Sequence, residues 1–248
     1  AFRIEQIKER EVQLRDHSLS YPIFRAENRE IFERMLAQDE RNQSVKAGAV
    51  VEGKPVPAVN FHITDDHLGE GGPKQKFARN IAAIETLFKL ESENRNATTE
   101  EQEILSNYVG WGGLSMAFDE NNAAWADEFK ELYASLSPEE YRAAMESTLT
   151  AFYTPPVVIK GMYEALERLG FSEGSILEPS CGTGNFFGLL PDTMVGSKLH
   201  GVEIDPLTGK IAKQLYQTAD IQIKGYEETT FSDNYFDAAI GNVPFGNY

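Results

Sequence analysis

The chain has 248 residues, 41% of them hydrophobic and 25% charged, with a formal net charge of −16. Such a length allows one large domain or two small ones with a real core, and the composition is that of an ordinary globular protein. The charge argues against a chain that grips nucleic acid alone, because phosphate binding needs clustered Lys and Arg and none is visible. No apolar run approaches the roughly 18 residues of a membrane span, and no signal-peptide core opens the chain. A lone cysteine, Cys181, excludes an internal disulfide and fits a reducing cytoplasm. The chain begins at Ala1 rather than Met and reads as a piece of a longer protein.

Up to about Thr150 the apolar spacing is mostly helical, and residues 1–150 are expected to form a helical N-terminal region. Helices are expected over Phe2–Leu14 and Glu27–Leu36, each with one apolar face. Residues 47–73 alternate weakly and then break at Gly69-Glu-Gly-Gly-Pro73, which predicts a short hairpin and a loop. Lys74–Leu90 carries an apolar stripe through Ile81, Ile84, Leu87 and Leu90. Thr98 and Glu101 have the spacing of a capping box, whose helix should stop at Val109-Gly-Trp-Gly-Gly113. The glycine-rich turn itself reads as a packing element against the later half, or as one side of a groove. Two more helices fit Asn122–Leu136 and Pro138–Ser147, the second with Ser137 as cap and Pro138 at its first position.

After Thr150 the pattern changes to alternating strand and helix, which implies a parallel sheet with helices on its faces. Thr154-Pro-Pro should open a helix that reaches about Leu169. Strands are expected at Ser175–Leu177, Lys198–Ile204, Ile221–Lys224 and Phe236–Gly241, with a helix at Thr208–Tyr216.

The chemistry collects at the strand ends. Gly182 and Gly184 fall in the turn after the first strand, where the lack of a Cβ lets a cofactor approach the backbone. Glu203 follows about twenty residues later at the end of the second strand, placed to accept ribose hydroxyls. A dinucleotide site usually has three glycines; this turn has two, followed by bulky Asn185-Phe-Phe187, so it is not shaped for a pyrophosphate. Glu178 suits a cofactor with a cationic amino-acid tail, and S-adenosylmethionine combines such a tail with a sulfonium, a ribose and an adenine. At the end of the fourth strand stands Asn242-Val-Pro-Phe245. The side-chain oxygen of Asn242 and the carbonyl of Val243 can each accept a hydrogen bond from an exocyclic amino group, Pro244 stiffens the turn, and Phe245 can stack on a base. Cys181 reads as a small buried residue rather than a nucleophile. His17, His62, His67 and His200 lack metal-ligand spacing, so no metal site is expected.

With these motifs in this order, the chain resembles the amino-methylating, S-adenosylmethionine-dependent DNA methyltransferases, in the subclass whose cofactor-tail motif precedes the glycine motif. Phe152-Tyr-Thr-Pro155 looks like the tail motif, Leu177–Phe186 the glycine motif, Gly201-Val-Glu-Ile-Asp205 the ribose motif and Asn242–Phe245 the catalytic one. The resemblance implies cofactor contacts from Tyr153, Thr154, Glu178, Gly182, Gly184, Phe186, Glu203 and Ile204, and catalytic roles for Asn242, Pro244 and Phe245. It also implies an α/β, Rossmann-like class I methyltransferase fold over residues 151–248, holding strands 1–4 of a sheet ordered 3-2-1-4-5-7-6. The fourth would be an open edge, expected to be covered or poorly ordered. The usual catalytic motif is Asn-Pro-Pro-aromatic, so Val243 is a departure. The acid that meets the adenine amino group falls near Tyr226 or Glu227 without a firm assignment.

Asn80–Glu85, Ala97–Gln102 and Tyr108–Leu114 resemble the helical lead-in of very large methyltransferase–helicase proteins of conjugative elements and phages. That resemblance implies adenine-N6 methylation of a flipped base, a fused helicase as partner, and DNA contacted through the full-length protein. No Walker-type motif is present in this chain. Glutamine-N5 methylation of a protein and a non-catalytic scaffold for a helicase are the alternatives that the same motifs allow.

Overall fold

The computed structural model describes residues 57–65, 69–149 and 153–243. The helices expected over Phe2–Leu14 and Glu27–Leu36 lie outside the described residues, as does most of the expected hairpin. Helix α1 (Pro73–Glu93) turns Phe77, Ile81, Ile84, Leu87 and Leu90 inward, the i, i+3, i+4 spacing that its sequence carries. It ends at Asn94 in a left-handed conformation, φ 48°, with the Arg95 N–H returning to the Leu90 carbonyl at 3.2 Å.

Helix α2 (Thr99–Ser106) opens with the expected capping box, Thr98 accepting the Glu101 N–H and Glu101 accepting the Thr98 N–H. The same Glu101 carboxylate takes a two-pronged bond from Arg95, at 2.6 and 2.7 Å, which helps pull its pKa down to about 2. The Asn122–Leu136 helix divides: a 3-10 turn over Ala123–Trp125 precedes α3 (Ala126–Ser135), because the Asn122 side chain accepts the Ala124 N–H and tightens the first turn. Helix α4 (Pro138–Glu146) has its Ser137 cap as expected. Trp111 is buried at the centre of this segment, 6.0 Å from the Phe77 ring and 5.5 Å from that of Phe118.

Helix α5 (Pro156–Arg168) leads into strand β1 (Ser175–Glu178), and a four-residue helix α6 (Asn185–Gly188) follows the glycine turn. Then come β2 (Lys198–Glu203), α7 (Pro206–Leu215), β3 (Asp220–Ile223) and β4 (Ala238–Ala239). The strands pair in parallel in the order β3-β2-β1-β4, the first part of the sheet that the resemblance implies. Glu178 lies beside Gly201 and Glu203 beside Ile223, so the carboxyl ends of three strands share one rim.

The fourth strand is shorter than expected: β4 spans Ala238 and Ala239, and Ala239 is exposed. A two-residue edge leaves few unpaired backbone groups, which is another way for a sheet to blunt its edge. On either side the backbone still reaches β1, the Asp237 N–H donating to the Ser175 carbonyl and the Ile240 N–H to the Leu177 carbonyl, both at 2.9 Å. Phe236 and Tyr235 pack edge-on against His200, with ring centroids 5.3 Å away, and the Asp237 carboxylate accepts the Ser175 N–H at 2.8 Å.

Residues 57–65 form no hairpin; the extended stretch straps the helical segment to the α/β half. Asn60 bridges Tyr216 antiparallel, the Phe61 N–H donates to the Leu215 carbonyl at 2.8 Å, and the Ile63 N–H donates to Gly188 at 2.8 Å. Gln102, buried on α2, spreads its amide over the carbonyls of Val59, Gln214 and Leu215 at 2.9–3.0 Å. One continuous core runs from Phe77 and Trp111 through Ile63 to Ile176 and Ile211. Gln102→Ala removes the donor that ties the Val59 carbonyl to those of Gln214 and Leu215, and is expected to lower stability by about 1–3 kcal/mol in urea denaturation.

Candidate active site

At the carboxyl rim of the sheet lies a cavity of about 420 Å³. Its floor is the glycine turn. Gly182 is left-handed, φ 55°, and a Cβ there would meet the Tyr153 ring at 2.8 Å. Gly184 is also left-handed, φ 86°, but the space that its Cβ would take belongs to Tyr216, behind the turn. The backbone N–H groups of both glycines are already used: Gly182 donates to Glu203 Oε2 at 2.8 Å and Gly184 to the Cys181 carbonyl at 2.7 Å. The expected approach of a ligand to these N–H groups is therefore corrected. The glycines shape the turn, and Gly184 does not line the cavity.

The acids divide by partner. Glu203 accepts the Gly182 N–H on one oxygen and the Asp205 N–H on the other, both at 2.8 Å. Burial pushes its carboxyl above the ordinary range, while those backbone bonds pull it down. Glu178 is 3% exposed, and its Oε2 has no hydrogen-bond partner among the described residues. Burial, reinforced by the Glu203 charge, drives its pKa well above the ordinary carboxylate range. An acid left unpaired in a cavity wall is a site for a cationic group. Cys181 lies 3% exposed between these acids, and burial raises its thiol, so it is packing rather than a nucleophile.

The structure brings most of the expected residues to this cavity: Tyr153 and Thr154 ahead of α5, Glu178, Gly182, Phe186, and Glu203 with Ile204. Asn242 and Val243, past the end of β4, reach the same cavity, and Asn242 is exposed. Pro244 and Phe245 lie outside the described residues. Tyr226 and Glu227, on a 3-10 turn after β3, are exposed and are not among the cavity-lining residues.

Other cavity residues were not picked out from sequence. Asp205 and Thr208 start α7, with the Thr208 N–H and hydroxyl both donating to Asp205. Tyr108, Gly110, Ser147 and Leu149 come from the helical segment. The signal for Tyr108 and Gly110 was present, since they border the Gly-Trp-Gly-Gly turn. Trp111 packs in the core of the helical segment, and Gly110 lies on the cavity.

Residues 177–243 match the protein family described as Methyltransferase domain. The fold is Rossmann-like, of the class I methyltransferase type. Defense against restriction protein B of Escherichia phage P1 is 31% identical over 169 residues, which are 67% of this chain and 6% of that protein. That alignment exceeds the length of residues 151–248 and so takes in part of the helical segment. The Type II methyltransferase M.CvrRI of Paramecium bursaria Chlorella virus XZ-6E is 32% identical over 119 residues, 48% of this chain and 29% of the relative. The Modification methylase CviBIII of Paramecium bursaria Chlorella virus NC1A is 30% identical over 95 residues, 38% of this chain and 25% of the relative. The chain thus spans less than a third of the length of each of these curated relatives. No solved structure matches it significantly.

A carboxyl whose pKa is raised on folding contributes stability that is present in acid and lost as pH climbs through the raised value. The ligand-free chain should therefore lose stability as pH rises from about the ordinary carboxylate value upward, through the raised values of Glu178 and Glu203. Glu178→Gln is expected to flatten that fall and to raise the melting temperature at pH 8 by a few degrees, ~1 kcal/mol being worth roughly 2–4 °C in a chain of this size. Thermal melts of both proteins between pH 5 and 8 give the comparison.

Proposed function

We propose that this chain is the cofactor-binding part of an S-adenosylmethionine-dependent DNA methyltransferase that acts on the N6 amino group of adenine. The observation that carries the reading is the unpaired, buried Glu178 oxygen sharing one cavity with Glu203 and Asn242. A cation must offset the first, and hydroxyls suit the second, which keeps lone pairs beyond its two backbone bonds. S-adenosylmethionine has an ammonium, a sulfonium and a ribose, so the residues present fit it. In this reading Glu178 faces the amino-acid tail, Tyr153 and Thr154 its carboxylate end, Glu203 the ribose and Ile204 the adenine, with Gly182, Gly184 and Phe186 shaping the floor. When bound, the cofactor supplies an electrophilic methyl group on a cationic sulfur.

Asn242 and Val243 act on the acceptor. The Asn242 side-chain oxygen takes one amino hydrogen and the Val243 carbonyl the other, which directs the nitrogen lone pair toward the methyl group without a strong base. The Val243 carbonyl serves as well as that of the usual proline, since only the main chain is needed. Pro244 and Phe245 complete the motif by stiffening it and stacking on the base. A target adenine would have to leave its stack, at a cost of a few kcal/mol. The names of the viral relatives, and that of the phage protein, favour DNA over a protein amide as the acceptor. With a net charge of −16, the chain would rely on other parts of a longer protein, a fused helicase among them, to hold DNA. A reducing cytoplasm suits this setting.

Titration calorimetry with S-adenosylmethionine should show binding that Glu203→Gln weakens roughly tenfold or more, the worth of a charge-assisted hydrogen bond. No binding, or equal binding by the variant, would sink the cofactor assignment. In the full-length protein, Asn242→Ala should lower methyl incorporation into DNA on the order of 10²–10³-fold with cofactor affinity kept. Mass analysis of the digested nucleosides should find the methyl on adenine N6. Methylation of protein but not of DNA would overturn the DNA reading.

A further inference from the structure

The sheet does not supply every wall of the cavity. Tyr108 and Gly110, in the turn after α2, line it together with Ser147 and Leu149. One side chain holds that turn. Asn80, 0% exposed on α1, donates from Nδ2 to the Gly110 carbonyl at 2.6 Å and accepts the Val109 N–H on Oδ1 at 2.9 Å. An asparagine is a poor interior residue for a helix, and a buried amide is costly unless both its ends are satisfied. Here both are satisfied by two adjacent residues of a turn that faces the cavity.

Tyr108 joins this turn to the acids. It is 2% exposed and lines the cavity with Thr208, whose hydroxyl donates to Asp205. The Asp205 N–H in turn donates to Glu203 Oε1. The helical segment and the carboxylate at the end of β2 thus border one cavity. Two large apolar side chains also remain in water beside the cavity, one from each segment: Leu149, 81% exposed, and Ile204, 70% exposed. Such surface suits a planar apolar group such as a purine.

We infer that the helical segment is a working wall of the ligand cavity, with Tyr108 a binding residue at its adenosine end and Asn80 the positioning residue that holds the wall in place. The inference rests on the cofactor reading above and adds to it a second, non-sheet half of the site. Binding of an adenosyl ligand is then felt in the helical segment, and removal of the Asn80 clamp loosens the ligand without touching it.

Both tryptophans of the chain, Trp111 and Trp125, lie in the helical segment, and Trp111 adjoins Gly110. Titration of the whole chain with S-adenosylmethionine should change tryptophan emission saturably, at the dissociation constant found by calorimetry, and Trp111→Phe should remove that change. Asn80→Ala and Tyr108→Phe should each weaken binding roughly five- to tenfold, the scale of one or two lost hydrogen bonds. Leu132→Ala, in the buried core of α3 away from the cavity, is the control for a merely structural loss. At a temperature where circular dichroism shows it folded, it should bind as the wild type does. Unchanged affinity in Asn80→Ala and Tyr108→Phe, or an equal loss in Leu132→Ala, overturns the inference while the cofactor reading stands. No binding by the wild-type chain overturns both. Should Asn80→Ala not fold, Tyr108→Phe, which keeps the ring, decides.

Discussion

One carboxylate holds the candidate site together. Glu203 stands at the end of β2, and its two oxygens receive N–H groups from two separate connections, the glycine turn after β1 and the start of α7. Neither connection can move without the other while that carboxylate stays ionised. Burial opposes the ionised form, and the two backbone bonds offset it. The glycine turn and the N-cap of α7 therefore answer to a single carboxylate.

Glu178 sits close by under the opposite arrangement. It is equally shut away from water, but one oxygen is left without a donor among the described residues. A protein selected only for stability would not keep such an acid; one selected to take up a cation would. Burial raises both carboxyls, but at Glu203 two backbone N–H groups counter it.

Local patterns were legible where local physics decides them. The stripe of α1, the capping boxes at Thr98 and Ser137, and the alternation that yields a parallel sheet each depend on residues a few positions apart. So did the motifs at the strand ends, because parallel strands bring those ends to one rim. What depended on distant partners was not legible. Phe61-His-Ile63 looks like one arm of a hairpin until Leu215 and Gly188 are seen to take its N–H groups. Gly184 looks like a ligand-facing glycine, and nothing in its neighbourhood says that the Tyr216 ring occupies the space behind it. Phe236–Gly241 has the composition of a six-residue strand. At the sheet edge the strand shortens to its central pair, Asp237 and Ile240 still donate their N–H groups to the neighbouring strand, and the flanking rings turn to His200. Asn80 reads as a polar position on a helix and is in fact the clamp of a turn about thirty residues away.

The strap at residues 57–65 carries a consequence for the order in which the molecule assembles. Its partners, from Gly188 to Thr218, lie more than a hundred residues further along the chain, and they exist as partners only once α6, α7 and the sheet beneath them have formed. Closing so long a loop is entropically expensive and is rewarded only at the end. The helical segment emerges first during synthesis yet cannot complete its core until the last strands arrive, with Ile63 waiting for its place beside Gly188. The strap is thus a late clasp, and it makes completion of the α/β half a condition for locking the helices that precede it.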